Sequence, residues 1–152
     1  MDNFVVWKTI EIGGMTKDEL LAAMREATID TGGWARDIMS DPEFSTSSSK
    51  QSIKLARCKI KALGFTEKPT TTELRNRIQE VGDLGLPEVG PHLRLQFSDQ
   101  PKNDYFWVAI DRLPNSFFCV ERGDVGGRWL HGHHNRPDDL WSLDDEIVFV
   151  IQ

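Results

Sequence analysis

Residues 131–135 read His-Gly-His-His-Asn, so three of the chain's four histidines fall within four positions. Imidazole titrates nearest neutral pH and is the commonest metal ligand. Extended backbone through this segment would turn His131 and His133 to one face, because strand side chains repeat every two residues. Two such rings can chelate one ion, with Asp138, Asp139 or His92 completing a tetrahedral N/O set of the kind zinc takes. The spacing matches no standard zinc motif and the chain has no HExxH, so metal at His131 and His133 is an alternative only and no cofactor is implied. His131, His133 and His134 are the ligand-binding candidates, set beside the expectation of an exposed loop whose His and Asn residues serve as turn formers and surface polar groups.

Trp129 and Trp141 bracket that loop, and Trp107, Phe106, Phe117, Phe118 and Phe149 crowd the same C-terminal third. Aromatic residues build sheets and cores, and they also line small-ligand sites. Trp129 and Trp141 are expected to be buried anchors of the loop, with His131 the histidine that turns inward. Arg94 joins the candidates, with Asp99 and Glu121, as a charged group that a sheet face would carry. No Ser-His-Asp or Cys-His order is recognisable. Gly123–Gly127 reads as a hairpin turn and not a phosphate loop, because no helix follows it.

A third pattern is basic. Residues 50–77 carry 8 bases and 2 acids, between segments 1–49 (9 acids, 4 bases) and 78–152 (13 acids, 6 bases). Lys50, Lys54, Arg57 and Lys61 lie at i, i+4, i+7 and i+11, one stripe if the segment is helical. Such a stripe would track phosphates. The net charge of −6 opposes a dedicated nucleic-acid binder.

These residues need elements to hold them. Phe4 to Ile12 reads as a strand stopped by Gly13-Gly14. Thr16 with Glu19 forms a capping box for a helix to about Thr28, whose apolar face is Leu20, Ala23, Met24 and Ala27. A short helix covers Trp34 to Met39. The spacing of Ile53, Ala56, Ile60 and Leu63 predicts a helix over 49–63, closed at Gly64. One of Thr70, Thr71 and Thr72 caps another, with Leu74, Ile78 and Val81 inward. Alternation of Leu93, Leu95 and Phe97 predicts a strand. Further strands are predicted at 105–110, 117–122, 128–131 and 147–151. The expected fold is α+β: after one N-terminal strand, a helical N-terminal half packed on an antiparallel C-terminal meander of about five strands.

With 152 residues, 39% hydrophobic and 28% charged, the chain is expected to form a single domain, 1–152. Cys58 and Cys119 lie far apart with no CxxC, which suits reduced thiols. No apolar run approaches the roughly 18 residues that span a bilayer. Met1-Asp2-Asn3-Phe4 has no basic leader region, and a cytoplasmic location is expected.

The segment Glu88-Val-Gly-Pro-His-Leu-Arg-Leu-Gln-Phe97 precedes Asp99-Gln100-Pro101. It is followed by Phe118-Cys-Val-Glu-Arg122, Gly127-Arg-Trp-Leu130, Pro137, Trp141 and Val148-Phe149. Together these resemble a group of short, uncharacterised bacterial proteins carried as stand-alone genes on mobile elements. The resemblance covers roughly residues 60–150. It implies a compact bacterial protein of one domain and carries over no functional residue. The functional expectation is a small non-catalytic binding or interaction module with a protein or small-molecule partner, open to homo-oligomerisation. The alternatives are a hydrolase or lyase centred on His131–His134, and a nucleic-acid binder using the Lys50–Lys61 stripe.

Overall fold

The computed structural model describes residues 4–151, so the leader reading at Met1-Asp2-Asn3 lies outside the described residues. The elements run β1 (Lys8–Ile12), α1 (Lys17–Glu26), β2 (Ile29–Thr31), α2 (Gly33–Ser40), β3 (Gln51–Lys59), a 3-10 turn (Ile60–Leu63), α3 (Thr71–Val81), α4 (Val89–Gln96), β4 (Asp104–Ala109), β5 (Ser116–Arg122), β6 (Arg128–His134) and β7 (Glu146–Ile151). No helix among the described residues is long and apolar enough to cross a membrane.

The fold is α+β, but the sheet is mixed and not a five-stranded antiparallel meander. Among the described residues seven strands join in the order β1-β3-β7-β4-β5-β6-β2. Pairing is parallel at β7–β4 and β6–β2, and antiparallel elsewhere. The N-terminal half therefore contributes three strands as well as helices. Apolar residues of α1, α2 and α4, among them Leu20, Met24, Ile38, Val89 and Leu93, pack on one sheet face with Phe106, Phe118, Val120 and Leu130. On the other face the 3-10 turn and α3 place Ile60, Leu63, Leu74 and Ile78 against Phe117, Ile147 and Phe149.

Local sequence explains the helix starts. Thr16 and Thr70 each cap a helix by accepting from the amide of Glu19 or Glu73, and each glutamate bonds back to its cap residue. Two segments form the opposite element to the one the sequence predicts. Residues 51–59 are a strand, because β3 sits between β1 and β7 with Leu55 buried in one core and Ala56 in the other. A strand covered on both faces loses the period-2 signal. Residues 89–96 are a helix, although Leu93, Leu95 and Phe97 alternate. Pro91 lies in its first turn, where the missing N–H costs no helix bond, and Val89 and Leu93 are one turn apart in the core. Gly90 lets this helix close on β5, since a Cβ there would run into the Phe118 ring.

Candidate functional site

Strand β6 continues through the histidines instead of ending before them. It pairs along its whole length with β5, and the register sets Glu121 opposite Trp129, Cys119 opposite His131 and Phe117 opposite His133. Trp129, His131 and His133 therefore share the face that α3 covers only at its far end. The His131 ring stacks on Trp129, with centroids 4.9 Å apart and planes 8° from parallel. His131 Nε2 lies 3.0 Å from Glu121 Oε1. His133 meets the edge of Trp107 at 4.6 Å.

The edge of β6 is open where β2 leaves it. β2 pairs only with Arg128–Leu130, and the chain then turns through Gly32 and Gly33 into α2. The first residues of α2 press on the strand at Gly132, where a Cβ would lie 2.7 Å from Ala35 N. A glycine between the histidines is thus required by this close approach. The result is a cleft of about 360 Å³ lined by Gly32, Gly33, Trp34, His131, Gly132, His133 and His134. Trp34 is 56% exposed, and its ring lies 4.8 Å from that of His134. His134 Nδ1 lies 3.0 Å from Ser116 Oγ. A Cβ on Gly32 would stand 3.4 Å from His131 Nδ1, so that nitrogen borders the glycine floor. Burial, then the neighbouring His131 and His134, hold the His133 pKa below the usual imidazole value.

The other candidates are placed elsewhere. Trp141 is buried, donating from Nε1 to Thr71 Oγ1 at 2.9 Å and packing on Phe117 and Trp107. Trp129 is only half-buried, because its ring stands on the uncovered face. Arg94 has no exposure and does not reach any ligand surface. Its guanidinium donates to Gln100 Oε1 at 2.7 Å and to the carbonyls of Phe97, Glu121 and Trp129. Burial, then Arg128 and Arg122, push its pKa down to about 10. Asp99 is exposed, and the Glu121 side chain turns to His131, so the Arg94–Asp99–Glu121 cluster does not form.

The metal alternative lacks its ligand set. His92 is buried on α4 with Nε2 3.2 Å from Glu88 Oε1. The two Glu88 oxygens accept from the amides of Gly13 and Ser47, tying those loops to the helix. Among the described residues no three His, Cys, Asp or Glu side chains come together as a metal set. Cys119 stands across from His131, but burial, Glu121 and Asp145 push its thiol up to about 12, which makes it a poor nucleophile.

The basic stripe is also undone. Lys54 and Arg57 lie three apart on β3, so they face opposite sides of the sheet. Arg57 points inward, donates to both oxygens of Asp104 (3.0 and 2.6 Å) and to Glu146 at 2.8 Å, and lies over Phe106. Lys61, on the 3-10 turn, pairs with Asp144 at 3.1 Å, and Lys50 precedes the strand.

Sequence reasoning missed Gly32, Gly33 and Trp34, which the parallel pairing of β2 with β6 brings to the histidines. Compared with family models, curated proteins and solved structures, the chain matches none.

Proposed function

We propose that the protein is a small binding module whose ligand enters the cleft between β6 and the start of α2. The observation that carries this reading is a concavity at the β6 edge, lined by three histidines and the exposed Trp34, with a glycine floor. Ligands of open sheets with crossover helices bind outside the carboxyl ends of parallel strands, and the β2–β6 pair ends here. Imidazoles supply both donors and acceptors, and an indole offers a flat apolar face. The volume suits a small ring-bearing polar molecule of monosaccharide or nucleoside size. The net charge of −6 makes a polyanion a poor partner.

The test is a set of ¹H–¹⁵N spectra recorded with a panel of neutral monosaccharides and nucleosides. Saturable shifts confined to residues 32–34 and 131–134 are expected for at least one member. Absence of any saturable response, or a response centred on other residues, would remove the reading. The Glu121–His131 contact favours a second reading, a hydrolase or lyase in which Glu121 orients His131 as a general base. Turnover of an ester panel that falls together in Glu121→Gln and His131→Ala would support it, and turnover indifferent to both would reject it.

A further inference from the structure

A second cleft lies between the end of β6 and the loop that leads into β7, and it shares only His133 with the first. It holds about 370 Å³. Trp107, His133 and Trp141 line it, with Asp139, Leu140 and Asp145 beside them. Among the described residues no lysine or arginine lines it.

The aromatic corner follows from strand periodicity. The register sets Trp107 of β4 and His131 of β6 opposite Cys119, so Trp107 and His133 project from one sheet face. The loop returns Trp141 to that face. The Trp107 plane stands 89° from that of Trp141, with centroids 5.5 Å apart, and 78° from that of His133 at 4.6 Å. Trp107 Nε1 is shielded from solvent, so this indole meets the cleft with carbon. Leu140, 65% exposed, carries the apolar wall outward. Burial, then His131 and His134, hold the His133 pKa below the usual imidazole value, which leaves the ring uncharged at neutral pH.

The loop is acidic. Residues 136–146 carry Asp138, Asp139, Asp144, Asp145 and Glu146 against Arg136. Glu146 is held by Arg57 and Asp144 by Lys61. Among the described residues no lysine or arginine pairs with Asp139 or Asp145. Asp139 Oδ2 accepts from the Arg136 amide at 2.8 Å, which commits that oxygen to the turn. The Asp145 carboxylate accepts from the Tyr105 hydroxyl. Tyr105 lies two residues before Trp107 on β4, so this carboxylate sits on the face that bears the aromatic corner. Burial, with Asp144 adding to it, raises the Asp145 pKa, as expected for an anion with no cation beside it.

The geometry points to a binding site for a small organic cation, whose alkylammonium group enters the aromatic corner and pairs with Asp145. A cation is attracted to an aromatic face within about 6 Å of the ring centroid, most strongly for tryptophan, and aromatic cages hold methylated ammonium groups in this way. The carboxylate supplies a counter-charge at the same place. The site does not depend on what occupies the first cleft, and its failure would leave that reading standing.

The experiment titrates the full chain with choline chloride at constant ionic strength set by sodium chloride, following ¹H–¹⁵N spectra. Saturable shifts are expected at the Trp107 indole and at His133, Asn135 and Leu140. Dimethylbutanol, the neutral isostere with carbon in place of the charged nitrogen, should give no saturable response. Trp107→Leu should weaken choline binding by about tenfold. Asp145→Asn, which keeps an acceptor for Tyr105, should weaken it by about fivefold and decides the matter if Trp107→Leu does not fold. Choline shifts that never saturate, or that fall on residues 32–34, would overturn the assignment. Equal binding of the neutral isostere, or unchanged affinity in folded Asp145→Asn, would overturn it as well.

Discussion

Arg94 directs both terminal nitrogens of its guanidinium to the chain itself, joining α4 to the carbonyls of β5 and β6 and to Gln100. Replacing it with methionine strands those acceptors in the core. Each buried group left unpaired costs roughly 1–3 kcal/mol, so Arg94→Met should lower stability by about 3–5 kcal/mol in urea unfolding. Arg57 acts on charge. Burial alone would raise the Asp104 pKa, but hydrogen bonds from Arg57 and Gln100 outweigh it and hold the carboxyl below its usual value. The folded state then binds fewer protons than the unfolded chain as pH falls through about 4. The stabilisation is full above that pH and is lost as pH falls on through the lower folded value. The urea midpoint should therefore drop between pH of about 5 and 3, and Asp104→Asn should flatten that slope. A midpoint with the same slope in both proteins would show that the pair does not set the acid limit.

Two elements anchor the candidate cleft. Trp141 fixes the segment after β6 by filling the space between Phe117 and Trp107, and Trp141→Ala should cost about 3–5 kcal/mol, read from the melting temperature. Gly132 lets α2 touch β6. Gly132→Ala should push the two apart at a cost of about 1–3 kcal/mol and broaden the amide signals of residues 33–35. Elements governed by local chemistry were legible in the sequence, as the capping box at Thr16, a threonine cap within 70–72 and the strands near 105–110, 117–122 and 147–151 show. β3 was not, because two cores bury its opposite faces and its apolar residues fall by chance at helical spacing. α4 was not, because alternating leucines imitate a strand while Val89 and Leu93 follow the helical turn. The cleft itself escaped for a longer-range reason. Gly32–Trp34 meets the histidines only through the parallel pairing of β2 with β6, a contact between distant parts of the chain that no local pattern announces.

At the scale of the whole molecule, helices on both sheet faces leave the β6 end of the outer face uncovered. The rings of Trp129, His131 and His133 stand there beside an open strand edge, next to a helix start that carries an exposed indole. The architecture thus leaves a polar-aromatic concavity at the β6 edge, while Arg94, His92 and Arg57 are taken up in holding the fold. The most direct test of this assignment is calorimetric titration of the wild type, Trp34→Ala and His133→Ala with the panel member that binds best. Both side chains face solvent, so both variants should keep the wild-type melting temperature. Each should weaken binding by about tenfold, equivalent to about 1.4 kcal/mol. Unchanged affinity in both folded variants would contradict the placement of the ligand in this cleft.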